Sequence, residues 1–294
     1  MWINIGKHIS AVTGIPFTVE SSHAVGGGSI NSAYVITDQD RQFFVKTNAV
    51  SRLDMFQAEL EGLNEIANTD TIKVPSALCV GVADGHAYIV MECLDIQGTR
   101  GGNAAGLDRL GADIAQMHQN TAKHFGWHRD NTIGSTPQIN NMSQNWVEFF
   151  RQYRLGFQYD LAARNGFGQL LAKGEKLMSK LDGFFTDYKP EPSLLHGDLW
   201  SGNYAIDDSG APVIFDPAVY YGDREADIAM TELFGGFSSR FYASYNRHFS
   251  LDPGYKTRKI LYNLYHILNH VNLFGGGYMS QAERMAGQLL SELY

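Results

Sequence analysis

The sequence predicts an α+β protein in two lobes, a small N-terminal lobe around an antiparallel sheet and a larger, mainly helical C-terminal lobe. Strand-like runs separated by turn residues are concentrated in the first 93 residues, whereas long helical patterns dominate afterwards. The content of 44% hydrophobic and 18% charged residues is typical of a folded globular protein. We therefore place an N-terminal lobe at residues 1–93, a C-terminal lobe at 94–294, and a hinge at about 92–96.

The N-terminal lobe is predicted to start with a short amphipathic helix over residues 1–13, because apolar side chains recur there at helical spacing. A helix rich in good helix formers is predicted over residues 55–67. The predicted strands are residues 17–23, 32–36, 43–47, 78–83 and 87–91.

The C-terminal lobe is predicted to be built from helices at residues 107–119, 145–164, 168–182, 226–233, 238–249, 255–274 and 280–292. Residues 195–216 have the pattern of loops and short strands set among these helices. A site built from that segment is expected in a cleft between the two lobes.

Composition excludes several function classes. The net charge of −8 and the pI of about 5.6 argue against nucleic acid as a partner. Cys79 and Cys93 fit neither a zinc motif nor a redox pair, which favours buried thiols in a reducing compartment. The N-terminus lacks the apolar core of a signal peptide, and no stretch approaches the roughly twenty apolar residues of a membrane span. We predict a cytoplasmic protein with no membrane partner; its oligomeric state is unknown.

A phosphoryl-transfer motif occupies residues 196–203, with the sequence HGDLWSGN. Asp198 is predicted to be the catalytic residue that accepts or orients a substrate hydroxyl. Asn203, five residues on, and Asp216, at the end of the apolar run 211–215, are predicted Mg²⁺ ligands, because both offer hard oxygen atoms. The spacing matches the catalytic loop and the metal-binding Asp of kinase-like enzymes, with ATP as the phosphoryl donor.

A lysine and a glutamate complete this set upstream. Lys46 follows three apolar residues near the end of a predicted strand, where it can contact the phosphates of ATP. Glu59 lies thirteen residues later on the predicted helix and would hold Lys46 in place. Glu61 is the alternative, but it lies about 200° further round the helix, so only one of the two can face the site. We choose Glu59 because it borders the apolar face.

The remaining nucleotide contacts are predicted from backbone geometry. Gly26, Gly27 and Gly28 lie between two predicted strands, where backbone N–H groups could approach phosphates closely, although a plain hairpin turn is the alternative. Residues 90–94 join the lobes, and adenine needs one backbone acceptor and one donor there. We assign these contacts to residues Met91, Glu92 and Leu94.

Several other residues near the motif have a predicted role. Trp200 falls between Asp198 and Asn203, so its ring is predicted to face the substrate as a stacking platform. His118 is expected to be a hydrogen-bonded core histidine. The acids at residues 223–227 suit the start of a helix and are expected to fix the catalytic loop by ion pairing.

Two departures argue against a protein kinase. Gly197 stands where protein kinases usually carry the arginine that reads a phosphorylated activation loop. Asp216-Pro217-Ala218 replaces Asp-Phe-Gly, and the next predicted helix follows too soon for a long activation segment. The sequence therefore favours a small-molecule kinase.

The residues quoted above resemble the fructosamine-3-kinase (ketosamine kinase) family, and most closely its bacterial members. The resemblance is carried by residues 194–203, 215–218 and 221–223, and extends to residues 44–46, 55–59, 125–128, 137–140 and 234–237. It spans nearly the whole chain and places it within the aminoglycoside phosphotransferase-like kinases.

The resemblance implies a protein-kinase-like bilobal fold and ATP-dependent phosphorylation of the sugar 3-hydroxyl of a ketosamine. The substrates implied are ribulosamine, erythrulosamine or fructosamine adducts of lysine or of proteins. Phosphate on carbon 3, next to the carbonyl carbon 2, makes the adduct unstable, so that the amine is released and the protein is deglycated.

Two alternatives remain at this point. An aminoglycoside- or choline-type kinase would bind a cationic substrate, which favours a strongly acidic helical lobe, yet residues 94–294 carry 21 acids against 18 bases. A catalytically inactive scaffold would tolerate loss of the key polar residues, all of which are present. The sequence favours an active ketosamine kinase.

Overall fold

The computed structural model describes residues 1–26, 30–94 and 104–293. Within these ranges the chain packs into two compact units, one formed by Met1–Leu110 with Ala205–Pro217 and the other by Gly111–Tyr204 with Ala218–Tyr294. The segment that contains Asp216 thus packs with the N-terminal part of the chain, although it lies more than 90 residues further along the sequence.

The first unit contains a five-stranded antiparallel sheet in the order β1-β2-β3-β5-β4. Helix α1 spans Trp2–Thr13 and helix α2 spans Leu53–Ala67. The strands are β1 Ser21–Val25, β2 Ser32–Thr37, β3 Gln42–Ala49, β4 Ala77–Ala83 and β5 His86–Glu92. The predicted antiparallel α+β architecture of this region is confirmed.

The first strand differs from its prediction at residues 17–23, since β1 begins only at Ser21. Phe17 is buried and packs edge-on against Phe43 with ring centroids 5.0 Å apart, while its backbone N–H donates to Ser10 Oγ at 2.8 Å. Phe17 therefore joins the core beneath α1 instead of pairing in the sheet, together with Ile5 and Ile9 of that helix.

A hairpin completes the first unit and leads to Asp216. Its strands are β9 Tyr204–Ile206 and β10 Pro212–Ile214. The backbone N–H of Ile214 donates to the carbonyl of Lys73 at 3.0 Å, which ties β10 to the segment before β4. Asp216 follows two residues later and is positioned by this hairpin.

The second unit is mainly helical, as predicted. Helix α3, Ala104–His118, leads into it. The later α-helices are α4 Trp146–Phe149, α5 Phe157–Ala162, α6 Leu171–Met178, α7 Glu225–Thr231, α8 Ser239–His248, α9 Tyr255–Phe274 and α10 Met279–Ser291. The long buried helix α9 packs against α5, α7 and α10 and forms the centre of this unit.

The helix predicted over residues 145–164 is interrupted. Its α-helical turns alternate with π-helical segments at Phe150–Gly156 and Ala163–Phe167, and Gly166 has a φ of 93°, which is not helical. A side chain at Gly156 would meet the carbonyl oxygen of Arg151 at 2.7 Å, so glycine permits the wider turn there.

Two short two-stranded sheets position the loops of the second unit. Strand β8, Ser193–Leu195, pairs antiparallel with β11, Tyr220–Gly222, and the catalytic motif begins directly after β8. Strands β6, Asn131–Ile133, and β7, Thr136–Gln138, form the other pair. No helix in the described ranges combines the length and the apolar character needed to cross a membrane, and the cytoplasmic location stays a prediction.

Candidate active site

Lys46 is the centre of a buried ionic cluster in the first unit. It lies within β3, where it pairs with Ala33 of β2 and Ile89 of β5. Its Nζ donates to Glu59 Oε1 at 2.5 Å and also to Asp216 Oδ1. The Lys46 side chain is only 9% exposed, and a lysine so buried stays charged only with close anionic partners.

Electrostatics favour the charged form of Lys46. Burial by itself lowers its pKa, but the carboxylates of Asp216 and Glu59 outweigh that effect and hold the pKa above its usual value. Burial raises the pKa of the Glu59 carboxyl, and the nearby charge of Asp216 adds to the rise. Lys46 is therefore a fixed positive charge that two carboxylates hold in place.

Asp216 is much more exposed than its partners, with 48% of its side chain accessible against 10% for Glu59. Its φ of +58° is in the left-handed region, which Asp tolerates better than most residues other than Gly. This conformation turns the chain just after β10. One carboxylate oxygen contacts Lys46, and the accessible carboxylate retains capacity for a further ligand.

Asp198, Trp200 and Asn203 form one hydrogen-bonded turn in the second unit. The carbonyl oxygen of Asp198 accepts from the backbone N–H of Trp200 at 3.1 Å and from Asn203 Nδ2 at 2.9 Å. Asn203 Nδ2 also lies 3.2 Å from Asp198 Oδ2. These bonds orient the Asp198 carboxylate and use the amide nitrogen of Asn203, so its amide oxygen is the atom available to a cation.

Asp227 of α7 fixes the start of this loop. Its two carboxylate oxygens accept the backbone N–H groups of His196 at 2.7 Å and Gly197 at 2.8 Å, and His118 Nε2 lies 3.2 Å from one of them. Burial alone would raise the pKa of Asp227, but the bond from His118 and the backbone donor lower it overall. Asp227 thus fixes the loop as expected of the acids at residues 223–227, but through backbone N–H groups, so the ion pairing predicted for this contact is wrong.

His118 is fully buried, and its Nδ1 lies 2.8 Å from Tyr245 Oη. Its two ring nitrogens therefore connect Asp227 to helix α8. The prediction of a hydrogen-bonded core histidine is confirmed.

Gly197 is the residue of the loop that tolerates no side chain. Its φ is +82°, and a Cβ atom there would lie 2.8 Å from the carbonyl carbon of Ala218 and would collide with the carbonyl oxygen. A hydrogen bond holds the two segments together at this point, since the backbone N–H of Ala218 donates to the carbonyl of His196 at 2.8 Å. Glycine is therefore required where the loop passes the segment after Asp216.

The ring of Trp200 lies over Gly202. A Cβ at Gly202 would be 2.9 Å from Cε2 of the indole and closer still to two other ring carbons, so the glycine makes room for the ring. Ser201 Oγ donates to the carbonyl of Phe234 at 3.3 Å, and the rings of Trp200 and Phe234 meet edge-on at 6.4 Å. The Trp-Ser-Gly-Asn sequence thus sets the orientation of the ring.

Comparison with known proteins decides the family. Residues 1–292 match the model of the fructosamine kinase family. The chain belongs to this family.

Two relatives and one solved structure agree with this assignment. A probable ketoamine kinase of Synechocystis is 47% identical, over 98% of this chain and 97% of its own length. The chloroplastic protein-ribulosamine 3-kinase of Arabidopsis thaliana is 46% identical, over 88% and 79%. A crystal structure from Haemophilus somnus, of a protein provisionally named fructosamine-3-kinase, aligns over 97% of this chain and 96% of its own, with a TM-score of 0.88 and 29% identity.

A more distant solved structure supports the fold alone. An aminoglycoside phosphotransferase aligns over 94% of both chains with a TM-score of 0.60 and 14% identity. The predicted protein-kinase-like fold is thereby confirmed for this family member.

The predicted adenine contacts fall at the end of β5. The backbone N–H of Glu92 already donates to the carbonyl of Ser76 at 2.9 Å, so it is not the donor that adenine needs. Met91 lies in the strand opposite Phe44, and the adenine contacts of Met91, Glu92 and Leu94 stay predictions.

The glycines predicted to approach phosphates are only partly described. Gly26 follows the last residue of β1. Gly27 and Gly28 lie outside the described residues.

The two glutamates of α2 give a test of the Lys46 cluster. We expect Glu59→Ala to lower kcat/KM by about tenfold or more, because it removes one of the two carboxylates that hold Lys46. Glu61→Ala is the matched control, since it removes the same charge from the same helix and is expected to change kcat/KM by less than about twofold. Steady-state kinetics with varied ATP measure both variants. The opposite ranking would mean that Glu61 serves the site.

Proposed function

We propose that this protein is a ketosamine 3-kinase, which transfers the γ-phosphoryl group of ATP to the sugar 3-hydroxyl of ketosamines. The observation that carries the proposal is the turn in which Asn203 Nδ2 bonds to both the backbone carbonyl and the carboxylate of Asp198, in a loop whose start is fixed by Asp227. Membership of the fructosamine kinase family supports the substrate class. Relatives named ketoamine kinase and protein-ribulosamine 3-kinase support it further.

In the proposed reaction the oxygen of the sugar 3-hydroxyl attacks the γ-phosphorus of ATP. Asp198 accepts or orients the hydroxyl proton. A new bond forms between the γ-phosphorus and the oxygen on carbon 3, and the bond from the γ-phosphorus to the bridging oxygen of ADP breaks. The catalytic contribution of the protein is then positioning and charge stabilisation. This agrees with a loop in which the Asp198 carboxylate is held by the side-chain amide of Asn203.

Lys46 is proposed to contact the phosphates of ATP, and Glu59 to position Lys46. The cluster supplies a permanent positive charge in a buried setting, where electrostatic interactions are stronger than in water. The other nucleotide contacts are proposed for Gly26, Gly27, Gly28, Met91, Glu92 and Leu94.

Asn203 and Asp216 are proposed to hold Mg²⁺. Their chemistry fits the ion, since the exposed carboxylate of Asp216 and the amide oxygen of Asn203 are hard oxygen ligands. Within the described ranges no group of three or more His, Cys, Asp or Glu side chains is placed to hold a metal. A Mg²⁺ ion that accompanies ATP takes its other ligands from phosphates and water, and it supplies neutralisation of phosphate charge when bound.

A kinase of this type would deglycate amines in two stages. Phosphate on carbon 3, adjacent to the carbonyl carbon, is a better leaving group than the hydroxyl it replaces. Loss of a proton from carbon 1 and of inorganic phosphate from carbon 3 leaves an imine at carbon 1. Its hydrolysis by water releases a dicarbonyl sugar and the amine, either a free amino acid or a lysine of a protein.

A substrate screen tests this function. Ribulosyl-, erythrulosyl- and fructosyl-lysine are compared with kanamycin and choline, and turnover is measured as ADP release with Mg·ATP. We expect phosphorylation of at least one ketosamine and negligible turnover of the other two classes. Efficient phosphorylation of kanamycin or choline, with none of any ketosamine, would overturn the proposal.

Trp200 is proposed to stack on the sugar or on the start of the amine substituent. Burial and stacking against an indole are worth about 1–3 kcal/mol. We therefore expect Trp200→Ala to raise KM for ribulosyl-lysine by roughly 5- to 150-fold, with KM for ATP nearly unchanged. Initial rates with each substrate varied in turn give KM for ribulosyl-lysine and KM for ATP, and so separate an effect on the sugar substrate from one on the nucleotide. An equal rise in both would show that Trp200 supports the loop and not the substrate.

A further inference from the structure

Five aromatic side chains form a continuous row that starts at the catalytic loop. The row consists of Trp200, Phe234, His270, Phe274 and Tyr278, all within the second unit. Phe234 and His270 have ring centroids 4.8 Å apart, and His270 lies 5.4 Å from Phe274 and 5.0 Å from Tyr278. With Trp200 against Phe234, every neighbouring pair is within normal aromatic contact.

The row is not part of the buried core. Trp200, Phe234, His270 and Tyr278 are each half-buried, and the Phe274 side chain is 56% exposed. Contiguous aromatic side chains on the surface of a soluble domain commonly mark a binding site. This row is also continuous with the turn that holds Asp198.

Three local features hold the row in place. Ser201 Oγ bonds to the carbonyl of Phe234, which joins the catalytic loop to the segment after α7. His270 and Phe274 are four residues apart on α9 and so lie on the same face of that helix. Gly275, with a φ of 87°, ends α9 and lets the chain bring Tyr278 back against both rings.

The row presents an uncharged surface. His270 Nδ1 is 2.8 Å from the carbonyl of His266, which fixes the proton on Nδ1 and leaves Nε2 as an acceptor in the neutral ring. Burial lowers the pKa of His270, which favours the neutral ring at pH 7. Apart from that nitrogen, the indole N–H of Trp200 and the Tyr278 hydroxyl, the row offers only ring faces and edges, which suit an apolar chain.

We propose that this aromatic row binds the alkyl stem of the amine that carries the sugar, and so makes the enzyme selective for ketosamines of long-chain amines such as lysine. The inference rests on the proposed function. In a ketosamine only three carbon atoms, C1 to C3, lie between the amine nitrogen and the reacting 3-hydroxyl oxygen. A sugar held at Asp198 therefore directs the amine substituent onto the neighbouring ring, Trp200.

The chemistry of the substituent matches the row in two ways. The protonated amine is attracted to the face of an indole by a cation–π interaction. Beyond the nitrogen, each methylene group that leaves water for the ring surface is stabilised. The polar end of the stem, with its peptide or carboxylate groups, would extend past Phe274 and Tyr278 into solvent.

The test uses two ketosamines that differ only in the stem, ribulosyl-ethylamine and ribulosyl-hexylamine. For the native enzyme we expect KM to be about tenfold lower for the hexyl compound, since four further methylene groups become partly buried. The double variant Phe274→Ala/Tyr278→Ala should abolish this preference and leave KM for ribulosyl-ethylamine within about twofold of the native value. Met142→Ala, which truncates an apolar side chain that is 57% exposed elsewhere in the same unit, should keep the preference.

The outcomes separate the inference from the function on which it rests. Equal KM values for the two compounds in the native enzyme, or an unchanged preference in the double variant, would overturn the inference. If the double variant loses thermal stability, the single variant Phe274→Gln gives the same test, because its side chain is largely solvent-exposed, and it should reduce the preference. If neither ribulosamine is phosphorylated by the native enzyme, the proposed function itself fails.

Discussion

Asp198→Asn is expected to lower kcat by about 10²-fold or more while ATP affinity changes little. The substitution keeps the shape of the side chain, and its amide oxygen can still accept the bond from Asn203 Nδ2 that is 3.2 Å long in the native protein. The loop should therefore keep its conformation, which Asp227 fixes independently. What is lost is the negative charge that we propose to accept the hydroxyl proton.

Two measurements check the role of Asp198. Initial rates with a saturating ketosamine give kcat, and a nucleotide-dependent shift in Tm gives ATP binding. A variant that loses ATP binding but keeps its turnover per bound nucleotide would place Asp198 on the nucleotide and not on the acceptor.

Asp216→Ala is expected to lower kcat/KM by about 10³-fold or more and to remove the Mg²⁺-dependent part of nucleotide stabilisation. A metal ion on the phosphates is worth several kcal/mol of charge stabilisation, and this variant removes a proposed ligand. It also removes one of the two carboxylates that hold Lys46. Both losses act on the nucleotide phosphates, so the effects on binding and rate should appear together.

The control variants separate these two losses. Asp216→Asn keeps an oxygen acceptor for Lys46 but lacks the charge that attracts Mg²⁺, and it should remain strongly impaired. Asp208→Ala removes an exposed carboxylate in the hairpin of the same unit and should leave activity and Mg²⁺ dependence nearly native. Thermal shift with ADP, with and without Mg²⁺, measures the metal-dependent part; native values for Asp216→Ala would exclude the residue as a ligand.

Much of the fold followed from the spacing of apolar residues. The twenty-residue helix Tyr255–Phe274 has the predicted bounds, because its apolar positions repeat regularly and glycine follows it. The first strand was misplaced because an apolar residue such as Phe17 fits a strand and a loop packed under a helix equally well. The π-helical turns at Phe150–Gly156 depend on backbone contacts that a periodicity pattern does not contain.

In the site, too, contacts between residues close in sequence were predictable, and contacts between distant residues were not. The geometry of a helix was enough to choose Glu59 over Glu61, and the structure places Glu59 beside Lys46. The contact between Lys46 and Asp216 joins residues 170 positions apart, and no local pattern encodes it. The row from Trp200 to Tyr278 was missed as a unit, because its members come from separate segments that only the tertiary fold brings together.

The crowding at Gly197 also bears on how such an enzyme could evolve regulation. In a protein kinase the residue at this place carries a guanidinium that senses a phosphate elsewhere on the chain. Here even a methyl group would strike the carbonyl of Ala218, and the left-handed backbone penalises any side chain. An arginine sensor is thus several coordinated substitutions away. A phosphate sensor of that kind is therefore incompatible with the native backbone of this loop.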